Sequence, residues 1–211
     1  MKKKIINCLL NFFFILDNHC YKIISKLAIW DNNGIHPKHK IMNYHQFFVD
    51  NIDKNDCVLD VGCGNGFVAY DISQKAKSVL GIDINRQNIQ SAKEHYQREN
   101  LSFIFGDATK YQFKKGFDTI ILSNVLEHIK NRAAFLKKIK KLAPKILIRV
   151  PMINRDWLAL YKKEKGAEYR LDKTHFTEYT MRSFREEIKK AGLKIKSYSI
   201  QFGEIWAIIK K

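Results

Sequence analysis

One stretch of nine residues, Val58 to Gly66, constrains the fold of this chain more than any other. Its first part is apolar and partly β-branched, which is typical of a strand that is buried on both faces. Gly62, Gly64 and Gly66 follow, and glycine permits positive φ and a close approach of a ligand to the backbone. Residues 67–72 can then begin a helix whose N-terminus faces the turn. A strand, a glycine turn and a helix in this order indicate a site for a nucleotide-type ligand.

The spacing of the glycines distinguishes between kinds of nucleotide site. Dinucleotide-binding proteins carry G-x-G-x-x-G. This chain has G-x-G-x-G instead, and Asp60 lies two residues before the first glycine. The pattern suits a ligand that has no pyrophosphate. An apolar strand followed by Asp-x-Gly-x-Gly-x-Gly resembles the first motif of the class I methyltransferases that use S-adenosylmethionine.

Two more acidic residues stand at the ends of predicted strands. Residues 78–84 form the second strand, and Asp83 lies 23 residues after Asp60, close to the spacing at which an acid reaches ribose hydroxyls. Residues 103–105 form a third strand, which leads to Asp107 and Ala108. By the resemblance, Asp107 contacts the adenine amino group and the neighbouring backbone amide contacts a ring nitrogen.

The resemblance therefore implies S-adenosylmethionine as the cofactor and a set of contacts along the strand ends. The predicted cofactor-binding residues are Asp60, Gly62, Cys63, Gly64, Gly66, Asp83, Ile84, Asp107, Ala108, Ser123 and Asn124.

Strands and helices alternate over the rest of the chain. The later strands are predicted at 117–123, 145–151, 193–200 and 204–209, and helices at 86–99, 131–142 and 178–191. This order resembles the family's α/β fold, a Rossmann-like, seven-stranded, mostly parallel sheet with helices on both faces and an antiparallel last strand. We assign the methyltransferase domain to residues 55–211 and a helical extension to residues 1–54.

The N-terminal segment is predicted to be one amphipathic helix, or two in series. The apolar run from Ile5 to Leu16 is too short to span a bilayer, and no signal-peptidase site follows it. Two interpretations stay open. The apolar face packs on its own domain or on a second subunit, or it lies on an anionic membrane with Lys2, Lys3 and Lys4 among the headgroups. The apolar residues that recur at steps of three and four are Ile5, Leu9, Phe12, Leu16, Cys20, Ile23, Leu27 and Trp30.

A further helix is predicted over residues 38–51, just before the glycine motif. In the family that this chain resembles, such a helix often covers the methionine end of the cofactor, so His36, His39, Tyr44 and His45 could contact ligand. The three histidines have no accompanying carboxylate, and we predict no metal site.

The residues after the fourth strand bear on the methyl acceptor. Ser123, Asn124 and Val125 replace the Pro-Pro and Pro-Cys motifs of base-modifying relatives, so methylation of base amines and of pyrimidine C5 is disfavoured. The Leu-Glu-His stretch at residues 126–128 resembles small-molecule methyltransferases of ubiquinone, sugar and cell-envelope pathways.

Residues 151–177 form an enlarged segment that is predicted to cap the acceptor. Its aromatic residues suit the face of a sugar or a flat ring, and its arginines suit a phosphate. The alternative is a cap that its own aromatics hold together. The residues concerned are Trp157, Tyr161, Tyr169, Phe176, Arg155 and Arg170.

Methyl transfer from a sulfonium is an in-line displacement, in which the enzyme aligns nucleophile, methyl group and sulfur. A hydroxyl acceptor must also lose its proton to a base. The predicted base is His175, which Asp172 orients from three residues away, and the alternative base is His128.

The net charge of +17 is spread along the chain, so we interpret it as a solubility and membrane-surface bias. Lysines 137, 138, 140 and 141 are predicted to form a solvated helix face. The four cysteines show no paired spacing, which favours a reducing compartment, the cytoplasm.

The sequence thus predicts a cytoplasmic methyltransferase, peripheral at the inner membrane face, that O-methylates a sugar or a lipid-linked glycan intermediate of the cell envelope. The alternatives are a lipid or quinone acceptor, RNA ribose, or a non-catalytic protein that binds S-adenosylmethionine and regulates a partner.

Overall fold

A computed structural model describes residues 1–211 of the chain. The strands are β1 Cys57–Val61, β2 Ser78–Asp83, β3 Leu101–Phe105, β4 Thr119–Ser123, β5 Lys145–Pro151, β6 Lys194–Gln201 and β7 Glu204–Lys210. The helices are α1 Lys2–Asp31, α2 Lys38–Met42, α3 Tyr44–Asp50, α4 Phe67–Ser73, α5 Arg86–His95, α6 Arg132–Ile139, α7 Trp157–Glu164 and α8 Met181–Lys190.

The seven strands form one sheet in the order β3-β2-β1-β4-β5-β7-β6. The pairs among β1 to β5 are parallel, and β7 is antiparallel to both β5 and β6. The predicted fold class is therefore confirmed, including the antiparallel last strand. The strand order reverses between β1 and β4, and in open α/β sheets ligands bind at such a reversal, outside the carboxyl ends of the strands.

Two layers of core residues explain why the central strands are apolar throughout. One layer holds Leu59 and Ile120 with Phe135 of α6 and Phe184 of α8, and the other holds Val58 and Ile121. The second layer includes α3, α4 and α5 side chains. Because alternate residues of one strand enter opposite layers, a central strand has no solvated face.

Several element boundaries differ from the prediction. The helix expected at 38–51 is broken at Asn43, which has φ 47°, into α2 and α3. The helix expected from residue 178 starts at Met181, because Thr180 caps it through Ser183 and Tyr179 pairs with Met152 instead. Asparagine tolerates the left-handed region and threonine is a preferred N-cap, so local chemistry explains both shifts.

The N-terminal segment is a single helix of 30 residues, α1, rather than two in series. Phe14 is its one buried residue. No helix of the chain combines the length and the apolar character that crossing a bilayer requires. The predicted boundary at residue 55 stays a prediction, and the family match described below starts at residue 52.

A buried ion pair joins β5 to β7. The Arg149 guanidinium donates to both carboxylate oxygens of Glu204, with Nη2 at 2.8 Å from Oε1, and Trp206 Nε1 also donates to Glu204. The ring of Tyr44 on α3 stacks on the guanidinium at 3.6 Å. The pair therefore fastens α3 to the antiparallel half of the sheet.

Candidate active site

A cavity of about 670 Å³ lies outside the carboxyl ends of β1, β2 and β3 and beside the segment after β4. It is at the point where the strand order reverses, as the fold predicts. Of the predicted cofactor residues, it is lined by Gly62, Asp83, Ile84, Asp107 and Ala108. The cavity also reaches His128 and Phe176, which the sequence assigned to the acceptor side.

Two glycines of the turn have different surroundings: Gly66 packs closely on Phe103, and Gly64 faces open space. Gly66 has φ +86°, and an added Cβ would lie 2.8 Å from Cζ of Phe103, so this position needs glycine for close packing. Gly64 has no atom within 4 Å of an added Cβ, and its amide donates to Asp83 Oδ2 at 2.9 Å. The space over Gly64 is therefore free for a ligand.

Two buried acceptor atoms near the turn lack partners. Asp60 Oδ2 and Asn124 Oδ1 are both buried without a hydrogen bond, and Asn124 adopts a left-handed φ of 54°. Burial, followed by the negative charge of Asp83, raises the pKa of Asp60 to about 8. A cationic donor would relieve both atoms. S-adenosylmethionine carries an ammonium and a sulfonium, so these residues fit that cofactor.

The loop after β3 is preorganised. Asp107 Oδ1 accepts hydrogen bonds from Thr109 Oγ1 at 2.6 Å and Thr109 N at 2.9 Å, and the Thr109 side chain lowers the pKa of Asp107. Lys138 Nζ donates to the carbonyls of Thr109 and Tyr111 at 2.8 and 2.9 Å. Of the four lysines predicted to form a solvated face, Lys137 and Lys141 are exposed, but the prediction is wrong for Lys138, which binds the loop, and for Lys140, whose Nζ donates to Ala191 O at 2.7 Å.

We expect Lys138→Met to raise the dissociation constant of S-adenosylhomocysteine about tenfold, because the loop that carries Asp107 loses two charge-assisted hydrogen bonds, each worth about 1 kcal/mol or more. The measurement is calorimetric titration. Lys137→Met is the matched control, since Lys137 is exposed on the same helix. Equal binding by the two variants would contradict the role of Lys138.

Four predicted cofactor residues besides Asp60 and Asn124 lie outside the cavity lining. Cys63 packs under the turn, where burial raises the pKa of its thiol and its Sγ would be 2.8 Å from a Cβ on Gly81. Gly64 and Gly66 shape the turn, and Ser123 Oγ accepts a hydrogen bond from Arg149 Nη1 at 3.4 Å. Their predicted contacts with cofactor stay predictions.

Glu127, His128 and His175 converge at the edge of the cavity. One potential ligand atom of each lies within 4.8 Å of the others, and the two imidazole rings meet edge to face at 4.6 Å. Glu127 is fully buried, neither of its carboxylate oxygens has a partner, and burial raises its pKa to about 8. A buried carboxyl group without a partner is costly, which makes Glu127 a candidate functional residue.

Hydrogen bonds define the tautomer of His175. Its Nδ1 lies 3.1 Å from Glu178 Oε1. Burial alone would raise the pKa of Glu178, but hydrogen bonds from His175 and the Leu171 amide, together with the charge of Arg155, lower it. The ionised Glu178 can only accept, so His175 Nδ1 bears a proton, and in the neutral ring Nε2 is the nitrogen with the lone pair.

The same argument applies to His128. Thr174 donates its hydroxyl proton to Asp172 Oδ1 at 2.8 Å, and therefore accepts from His128 Nδ1, also at 2.8 Å. Burial and the neighbouring His175 lower the pKa of His128. In the neutral form of each histidine, Nε2 is therefore the nitrogen that can accept a proton or bind a cation.

The predicted pairing of Asp172 with His175 is wrong. The Asp172 carboxylate closes over its own loop onto the amide and hydroxyl of Thr174, and through Thr174 it orients His128 instead. The His175 ring turns to Glu178, a residue that the sequence analysis did not consider. A carboxylate two residues before an amide readily forms such a closed turn.

The histidines near α2 and α3 form a separate chain of hydrogen bonds. His39 Nδ1 lies 2.9 Å from His45 Nε2, and His45 Nδ1 lies 2.6 Å from Asp71 Oδ2. Sequence reasoning looked for a metal here and missed the cluster at Glu127. The sequence signal for this cluster was Glu127 itself, an acidic residue that follows the apolar Val125 and Leu126 and directly precedes His128.

Most of the predicted acceptor-cap residues are engaged elsewhere. Tyr161 packs against Phe14 of α1 at 5.8 Å. Arg155 pairs with Glu178 at 2.5 Å, and Arg170 pairs with Glu168 at 2.7 Å. Phe176 is the one aromatic residue of the cap in the cavity lining.

A mostly parallel sheet with this strand order, an antiparallel last strand and an Asp-x-Gly-x-Gly-x-Gly turn at the reversal are the features of the class I methyltransferases that use S-adenosylmethionine. Residues 52–195, more than half of the chain, match the model of the methyltransferase-domain family, and the chain belongs to that family. The predicted family, enzyme class and cofactor are thereby confirmed.

The relatives are similar to this chain over part of their length. A ubiquinone biosynthesis O-methyltransferase of Bradyrhizobium diazoefficiens is 32% identical over 115 residues, 53% of this chain and 46% of that protein. One from Rhodopseudomonas palustris strain BisA53 is 28% identical over 165 residues, 69% of this chain and 65% of that protein. The chain thus spans about half the length of the curated relatives that it matches.

Solved structures share the fold. Magnesium protoporphyrin IX methyltransferase from Synechocystis PCC 6803, with bound SAH, superposes with a TM-score of 0.64 at 18% identity. The match covers 82% of this chain and 83% of that one.

Proposed function

We propose that this chain transfers the methyl group of S-adenosylmethionine to a hydroxyl oxygen. Glu127, His128 and His175 activate that hydroxyl as a nucleophile. The observation that carries the proposal is the buried, unpartnered carboxyl of Glu127 beside two imidazoles that use Nδ1 in hydrogen bonds, at the edge of the cofactor cavity. A hydroxyl is a weak nucleophile until its proton is removed or its pKa is lowered, and the cluster can do either.

The predicted roles of the histidines follow from their hydrogen bonds. His175 Nε2 is the first candidate to receive the acceptor proton, because ionised Glu178 stabilises the imidazolium that results. His128 is the second candidate. Asp172 is a positioning residue that acts on His128 through Thr174.

The cluster also fits a divalent cation, which the sequence analysis did not predict. A carboxylate with two neutral imidazoles is the ligand set of several catalytic metal sites. Glu127, His128 and His175 would hold the ion, and the Nδ1–H of each imidazole donates to a neighbouring oxygen, as metal-binding histidines usually do. A bound cation would supply the Lewis acidity that lowers the pKa of the acceptor hydroxyl.

For the acceptor we favour a phenolic hydroxyl on an apolar, quinol-type ring. The relatives are ubiquinone O-methyltransferases, and Phe176, Val125 and Ile129 line the cavity beside His128. A phenol with a pKa of about 10 needs roughly 4 kcal/mol to ionise at pH 7. The sugar or lipid-linked glycan predicted from the sequence is the second candidate. Arg155 and Arg170, which were predicted to bind the phosphate of such an acceptor, are already paired with carboxylates, and this disfavours it.

The test uses purified protein, methyl-labelled S-adenosylmethionine and four acceptor pools, namely quinol-containing lipids, lipid-linked saccharides, sugar nucleotides and total RNA. We expect label in the quinol-containing lipids, a loss of transfer after treatment with a chelator, and recovery on addition of a divalent cation. Label in a saccharide pool would identify the second candidate, and label in RNA would contradict the proposal.

A chelator without effect would leave His175 as a base that acts without metal. Cofactor binding without transfer to any pool would favour the non-catalytic alternative.

A further inference from the structure

The apolar stripe of α1 faces away from the rest of the protein. Its seven large side chains are between 44% exposed, at Leu16, and 74% exposed, at Trp30. The residues of this α1 stripe are Ile5, Leu9, Phe12, Leu16, Cys20, Ile23, Leu27 and Trp30.

The contacts that attach α1 to the domain lie on the opposite side of the helix. Phe14 packs on Tyr161, and Asn18 Nδ2 donates to Glu168 O at 2.9 Å. Ser25 Oγ lies 3.1 Å from His36 Nε2. Because successive residues turn by about 100°, Phe14, Asn18 and Ser25 point away from the stripe. Packing of the stripe on its own domain, one of the open interpretations, is therefore wrong.

The exposed apolar surface continues from α1 onto α7. Trp157 is as exposed as Trp30, and a groove lined by Phe13, Leu16 and Trp157 joins the two helices. Soluble monomers rarely expose apolar patches larger than a few hundred Å², and larger ones mark protein or membrane contacts.

The charges beside the stripe favour an anionic surface as its occupant. Lys2, Lys3 and Lys4 begin the helix, and no acidic residue lies in its first turn. Of its two acids, Asp17 is neutralised by Lys162, whose Nζ lies at 2.5 Å. Two copies of a chain with a net charge of +17 repel each other, which opposes association through this face.

We propose that α1 lies flat on an anionic lipid bilayer, with the α1 stripe among the acyl chains and its flanking lysines at the headgroups. An amphipathic helix with this distribution binds in the plane of the interface. The α1 stripe lies outside the family match, which starts at residue 52, and it would bind lipid whatever the acceptor is. The predicted site at the inner face of the membrane stays a prediction.

The experiment is co-sedimentation of the full chain with vesicles of phosphatidylcholine, with and without phosphatidylglycerol. We expect binding to the anionic vesicles and little binding to phosphatidylcholine alone. The combined variant Leu9→Glu, Phe12→Glu and Leu27→Glu is expected to lower partitioning at least about tenfold. Replacing Lys2, Lys3 and Lys4 with Gln is expected to lower it by a similar factor or more and to reduce its salt dependence.

The matched control carries three glutamates on another exposed apolar surface, Tyr198→Glu, Ile200→Glu and Phe202→Glu, and should partition as the wild type does. All variants should bind S-adenosylhomocysteine normally, which shows that they fold. Wild-type protein that ignores anionic vesicles would overturn the proposal. A wild-type dimer that the α1 variant dissociates, without vesicle binding, would assign the stripe to a second copy and also overturn it.

Discussion

Glu127→Gln is expected to lower the rate of methyl transfer about 10²–10³-fold and to leave S-adenosylhomocysteine binding unchanged within about twofold. The loss has the size of one removed electrostatic or Lewis-acid contribution to a transition state. Binding should persist because Glu127 does not line the cofactor cavity. The measurements are labelled methyl transfer at saturating cofactor and a calorimetric titration.

The same variant should not lose stability. Burying a neutral amide does not carry the cost of burying an ionisable carboxyl without partners, so the free energy of unfolding should not fall. In a chain of this size, each kcal/mol added to the free energy of unfolding raises Tm by about 2–4 °C. The matched control is Glu94→Gln on the exposed face of α5, which should change neither rate nor Tm. Full activity in Glu127→Gln would refute the role of Glu127 in the reaction.

Glu204→Gln is expected to cost about 3–5 kcal/mol of the free energy of unfolding, because it leaves the Arg149 guanidinium buried without its counter-charge. The predicted fall in Tm is roughly 6–20 °C. Thermal unfolding followed by circular dichroism measures it.

An exposed ion pair provides the control for this loss. Arg182 and Glu186 are 90% and 56% exposed and lie one helical turn apart, so Glu186→Gln should cost no more than about 0.5 kcal/mol. The double variant Arg149→Met with Glu204→Leu should recover much of the stability, since well-packed apolar residues often replace a buried pair without loss. Equal effects of Glu204→Gln and Glu186→Gln would contradict the argument.

The elements that the sequence predicted well have strong local signals. β5 was predicted within its observed limits, and Asn85 caps α5 as expected by accepting a hydrogen bond from Gln87 N. Buried parallel strands need apolar residues on both faces, and helix caps need particular side chains. Both features can therefore be predicted from a few consecutive residues of the sequence.

What the sequence could not predict depends on contacts between distant segments. The partner of His175 could have been Asp172 or Glu178, at three residues on either side, and only the path of the loop decides between them. Likewise, the period of the α1 stripe identified an apolar face but not the direction in which that face points. Orientation of a helix about its axis is a tertiary property.

The carboxylate of Glu178 connects the segment around α7 to the ring of His175. This buried carboxylate accepts from Arg155, from the amide of Leu171 and from His175. The first two contacts hold the chain around α7, and the third sets the proton on His175. Breaking the contacts of Glu178 with this segment also releases the imidazole, so the proton on His175 Nδ1 stays in place only while the segment keeps those contacts.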